Sequence, residues 1–144
     1  QERRQAGTLL DRASAAAAQK DFSAAADLYK NYLSVRPKDA DATAGYAAAL
    51  EEVGKTKPAV RRTMLLAYDR LVQLDPARVA ERRKLAAFYL AADQTQNARE
   101  HLKYLLNPAE GNQGDDPELR ELAATCELQH GKKVAAAVEH LEAA

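Results

Sequence analysis

An all-α fold is the expectation for this 144-residue chain, and three observations carry it. Alanine and leucine head the helix-propensity ranking and number 32 and 18, while isoleucine and tryptophan are absent and valine plus threonine total only 13. A sheet needs β-branched and aromatic side chains that this composition does not supply. Apolar residues recur at helical spacing rather than alternating. A segment containing an aromatic residue and a closing proline occurs twice without a gap, as Tyr29-Lys30-Asn31-Tyr32-Leu33-Ser34-Val35-Arg36-Pro37 and Tyr68-Asp69-Arg70-Leu71-Val72-Gln73-Leu74-Asp75-Pro76.

Leu9, Leu10, Ala13, Ala16 and Ala17 form one apolar stripe, and Lys20-Asp21 breaks it. Phe22, Ala25, Ala26, Tyr29, Tyr32 and Leu33 form a second stripe, closed by Pro37, because proline cannot continue a helix. The remaining turns are expected at Gly54, Asp93-Gln94 and Gly131, glycine being the residue that most readily ends a helix in the left-handed conformation. Eight helices result, over about 3–19, 22–35, 39–53, 57–73, 76–91, 94–106, 116–130 and 133–143. Asp39, Asp75 and Asp116 are expected as caps or first-turn acids, with Pro76 and Pro117 near first helical positions. The glycine- and proline-containing stretch Asn107 to Asp115 is the expected flexible joint. Between Gly54 and Tyr68 lie extra residues that a longer turn or an extended helix could absorb, and Pro58 favours the extended helix.

The pairs repeat. Small residues recur at Ala13, Ala47, Ala86 and Ala124, followed by Ala25, Met64, Ala98 and Ala136, then by Tyr29, Tyr68, Leu102 and His140, with Pro37, Pro76 and Pro108 closing three of the units. This order of small, aromatic and proline positions in helical pairs resembles the tetratricopeptide repeat (TPR) family. The resemblance covers nearly the whole chain, in one domain, 1–144, with units at about 6–39, 40–78, 79–112 and 116–144. The first unit matches best and the last is degenerate; the family's tryptophan is missing throughout, and Met64 stands where alanine is usual.

The resemblance implies a right-handed α-α superhelix, a solenoid of about four hairpins, because one hairpin cannot bury its own stripe. It also implies a concave wall built from the first helix of each unit, holding a protein or peptide partner. By phase on those helices the groove residues are Leu10, Ser14, Ala17 and Ala18; Ala44, Ala48, Glu51 and Glu52; Arg83, Ala87, Leu90 and Ala91; and Leu122, Thr125 and Gln129. One TPR subclass grips a peptide's terminal carboxylate with lysine and asparagine pairs; Leu10 and Ser14 at the corresponding positions cannot do this. The small, apolar set suits a helix or a neighbouring segment of the same polypeptide.

Composition narrows the function further. The N-terminus carries no initiator methionine and no apolar leader, so a piece of a longer protein is expected. No apolar run is long enough to insert into a membrane. Balanced charge, 21 basic against 21 acidic side chains, argues against a nucleic-acid partner. Charge is unbalanced locally: residues 55–84 hold nine basic and three acidic side chains, residues 107–144 three basic and eight acidic. Lys55, Lys57, Arg61, Arg62, Arg82 and Arg83 would draw an acidic partner, or the two ends would associate head to tail. Cys126, His130 and His140 are too few for a zinc site without further ligands, and His101 is expected to be exposed. No metal, cofactor or catalytic set is expected, and the chain is read as a non-enzymatic scaffold. The alternative is a self-associating or spacer array within a larger protein, giving a weak homo-oligomer, since no polar capping helix follows Ala144.

Overall fold

The computed structural model describes residues 2–143, in which the chain forms seven α-helices, one 3-10 turn and no strand. Gln1 and Ala144, the two ends of the expected array, lie outside the described residues. The helices are α1 (Glu2–Ala18), α2 (Phe22–Val35), α3 (Ala40–Gly54), α4 (Arg61–Leu74), α5 (Val79–Ala91), α6 (Thr95–Leu106) and α7 (Pro117–Ala143). No helix among the described residues is long and apolar enough to cross a membrane. The chain divides into two compact units, Gln1–Pro76 and Ala77–Ala144.

In the first unit each helix packs on the next, and α1 also touches α3. Its core is Ala13, Ala25, Ala47, Leu71, Val72 and Tyr68, all at or near zero exposure. The small residues let the helices approach; a larger side chain at such a site must displace its neighbours. Gly45 on α3 shows how close the approach is, since a Cβ there would lie 2.5 Å from the Tyr29 ring on α2. The α2–α3 junction is held by polar bonds. The Tyr32 hydroxyl donates to Asp39 Oδ2 at 2.6 Å, while Asp39 Oδ1 accepts the Ala42 N–H at 3.0 Å. Asp39 therefore caps α3 as expected, filling one of the orphan donors of its first turn.

Pro58 does not extend α4. The extra residues are taken up by a turn at Lys55–Lys57 and a 3-10 turn at Pro58–Val60, with Arg61 Nε donating to the Gly54 carbonyl at 3.2 Å. As a result α2 and α4 are both 14 residues long and start 39 residues apart, the offset of the repeated segment.

In the second unit α5 packs on α6, α6 on α7, and α5 touches α7. Leu85, Ala86, Ala98, Leu102, Leu105, Leu119 and Cys126 make its core. Asp75 ends α4 rather than starting α5, and α5 opens at Val79 with no side-chain cap. Asp116 does cap α7, its Oδ1 accepting the N–H groups of Glu118 and Leu119.

Two expectations in this unit are corrected. The stretch after α6 is a packed cap on that helix. The N–H of Gly111 donates to the Tyr104 carbonyl at 3.0 Å and that of Gln113 to the Leu105 carbonyl at 2.8 Å. Gly111 is buried, and a Cβ on it would meet the Leu105 backbone at 2.7 Å. The turn expected at Gly131 is absent: α7 runs unbroken for 27 residues, so the last two expected helices are one. Ala124, the expected packing residue of that unit, is exposed, and Leu119 and Cys126 are buried in its place.

Candidate binding surface

The helix faces left over by packing define what the molecule can offer a partner. On α1 the buried stripe runs through Ala6 and Ala13, and on α3 through Ala42, Thr43, Ala47 and Leu50. Beside these stripes stand Leu10, Ser14 and Ala17 on α1, and Ala44, Ala48, Glu51 and Glu52 on α3, all half-buried or exposed. Ala18, at the end of α1, is exposed as well. Since α1 and α3 touch, these positions lie on neighbouring helices, and most of them carry small side chains. The acidic ones are engaged by neighbours: Tyr68 Oη donates to Glu51 Oε1 at 3.2 Å, and Lys55 Nζ sits 2.8 Å from Glu52 Oε1. These faces offer contact area close to the backbone and little unpaired charge.

The second unit departs from the expected groove. Ala87, Ala91 and Thr125 are exposed. Leu90 is buried, because Arg82, Leu85, Ala86, Tyr89 and Leu90 together make the packing stripe of α5. Leu122 and Gln129 are half-buried, since each lies three residues after Leu119 or Cys126, which set the stripe of α7 in place of Ala124. Arg83 is held by α7, its Nη1 bonded to Asp116 Oδ2 and its Nη2 3.4 Å from Glu118 Oε2. Leu90 and Arg83 thus serve the packing of the unit, whereas Ala87, Ala91 and Thr125 are open to solvent.

The basic stretch is also reassigned. Arg82 is buried at 8% exposure, its guanidinium carbon 3.7 Å from the centroid of the Tyr104 ring. Its Nη1 lies 3.2 Å from His101 Nδ1, and the His101 ring stacks on Tyr89 with centroids 5.8 Å apart. This arginine–histidine–tyrosine cluster bridges α5 and α6, so His101 is half-buried and not a surface group. Its members sit at helical spacing among other charges, and only their burial distinguishes them. Lys55 pairs with Glu52 and Arg61 serves the Gly54 carbonyl, while Lys57, Arg62, Arg70 and Lys84 are further exposed cations of the stretch.

Cys126 donates its thiol to the Thr95 carbonyl at 3.5 Å, and burial pushes the thiol above its ordinary value. A raised thiol gives little thiolate, the form that attacks or binds metal. Among the described residues no group of three or more His, Cys, Asp or Glu side chains could hold a metal ion. No protein-family model matches the chain, and no curated protein matches it.

Proposed function

We propose that this chain is a non-catalytic interaction module. In this reading it is built of tetratricopeptide-like hairpins whose α1 and α3 hold an apolar helix or extended peptide of another protein. One observation carries the reading: Ala13, Ala47 and Ala86, and Ala25 and Ala98 after them, are all fully buried in the register in which the sequence repeats. That burial supports hairpins of one kind. It leaves Leu10, Ser14, Ala17, Ala44 and Ala48 facing outward on adjacent helices. Binding would come from desolvating this apolar surface, with a partner backbone brought close by the missing side-chain bulk.

The test is selection of peptides from a random display library on the full chain. The expected outcome is apolar peptides of micromolar Kd whose binding falls at least about tenfold, or about 1.4 kcal/mol, with Ala48→Arg. Ser23→Arg, on the exposed side of α2, should leave binding unchanged. Selected peptides that bind both variants equally well, or no enrichment at all, would overturn the reading.

A further inference from the structure

The end of α7 carries a helix face that no other helix buries among the described residues. From Gly131 to Ala143 every residue of α7 is exposed, and Val134, Val138 and Leu141 are 49%, 47% and 78% exposed. Gly131, Ala135, Val138 and Glu142 recur at spacings of four, three and four, which is the seam of a helix pair. At 100° per residue this seam has Val134 and Leu141 along one flank and Lys132 and Glu139 along the other. The seam lies well away from Leu119 and Cys126, the buried contacts of α7. Neither Lys132 nor Glu139 makes an ion pair among the described residues, whereas Lys133 is bound to Asp93 Oδ1 at 3.0 Å.

We propose that this face is an antiparallel contact with the same helix of a second copy of the chain. Two-fold symmetry makes each flank meet itself in reverse order. With the axis between Ala136 and Ala137, Ala135 packs against Val138 of the second copy, and Gly131 gives room beside Glu142. On one flank Val134 then meets Leu141, and on the other Lys132 meets Glu139, each contact occurring twice. A parallel pair would instead set Glu142 against Glu142 on the seam, so charge selects the antiparallel arrangement. The paired segment, Gly131 to Glu142, is only about 18 Å long. It falls short of the roughly 800 Å² per partner of a stable interface, so the dimer is weak and concentration-dependent. The contact is independent of the α1/α3 surface, and each reading can fail without the other.

Sedimentation equilibrium of the full chain, from micromolar to millimolar concentration, tests this. The expected result is a monomer–dimer equilibrium. Val138→Glu should weaken it at least about tenfold without changing the circular dichroism, since the residue is exposed. Lys132→Glu should weaken it several-fold, and adding Glu139→Lys to that variant should restore it, which a purely structural effect of either change would not do. A chain that stays monomeric at all concentrations would overturn the proposal. So would a dimer indifferent to Val138→Glu, or a charge-swapped pair that does not recover.

Discussion

Lys20, Asp93 and Gly131 occupy one position of the repeat, and only the first two turn the chain. Lys20 has φ 62° and Asp93 φ 61°, both in the left-handed region. The hydrogen bonds around them correspond pair by pair: Asp21 N–H to the Ala16 carbonyl and Lys20 N–H to that of Ala17, then Gln94 N–H to the Tyr89 carbonyl and Asp93 N–H to that of Leu90. This is the helix-ending motif that glycine suits best. Yet Gly131 sits inside α7, and no described glycine has positive φ. The difference lies in the residues downstream of each. After Lys20 come Ala25 and Tyr29, and after Asp93 come Thr95, Ala98 and Leu102, all buried. After Gly131 come Ala136 and His140, both exposed. A second helix that puts only Ala136 and His140 in the register where Ala25 and Tyr29 pack has little reason to fold back on the first, so the chain keeps its helical hydrogen bonds instead. Lys132, where Asp21 accepts the Ala24 N–H, can only donate.

The largest effect should separate Leu102 from His140. Leu102→Ala removes a core side chain at 3% exposure and should cost about 2–5 kcal/mol. His140→Ala, on the exposed helix, should stay within about 0.5 kcal/mol. Urea unfolding of both variants reads the difference; equal losses would mean that residues after Gly131 pack as a hairpin.

Next comes the polar device that starts a helix where an acceptor exists. Asp39→Ala should cost about 1–2 kcal/mol, with a pH dependence of definite sign. The carboxyl of Asp39 is held below the ordinary range by the Tyr32 hydroxyl and then by the Ala42 N–H. Its contribution is full above the ordinary carboxylate value, about 3.9, and is lost as pH falls through the lowered folded value. The Tyr32 hydroxyl is pushed up, chiefly by the same bond. Its share is full below about 10 and is lost as pH rises through the raised value. Stability of wild type minus Tyr32→Phe/Asp39→Asn should therefore form a plateau between these limits. A difference independent of pH would break the account.

Gly131→Ala gives a test of sign rather than size. In a continuous exposed helix alanine should gain about 1 kcal/mol, and a Cβ there meets nothing within 4 Å. If residue 131 ended a helix in the left-handed conformation, the same change would lose about 1 kcal/mol or more. Thermal unfolding well below the concentration of any dimer distinguishes the two.

The same contrast decides how much was legible in the sequence. Helix content, the burial of Ala13, Ala25, Ala47, Ala86 and Ala98, and the caps at Asp39 and Asp116 rest on local chemistry and on repetition. The unbroken run of α7, the burial of Arg82 against Tyr104 and the packing of Gly111 on α6 depend on which neighbour is available. A glycine and a run of charges look alike in sequence whether a partner helix is present or not. The candidate surface divided in the same way. Ala44 and Ala48 stand outside the buried stripe of α3, while Leu90 belongs to the buried stripe of α5, and Leu122 and Gln129 turn inward where the register of the last unit shifts.

The smallest effect belongs to Lys20. A non-glycine residue in the left-handed region carries a steric cost of about 1–2 kcal/mol, from Cβ against the following carbonyl. Lys20→Gly removes that cost but frees the unfolded chain, which returns about 0.5–1 kcal/mol. Lys20 is exposed and its side chain makes no hydrogen bond or ion pair among the described residues, so little else changes. A net gain of about 0.5 kcal/mol is expected in urea unfolding, and the same change at Asp93 should gain less. Asp93 also receives the Lys133 ammonium, on its backbone carbonyl at 2.6 Å and its carboxylate at 3.0 Å, and glycine keeps only the first of these. Equal gains at the two sites would show that the Lys133 contact with the carboxylate contributes nothing. A loss at Lys20 would show that the turn is held by more than its backbone conformation.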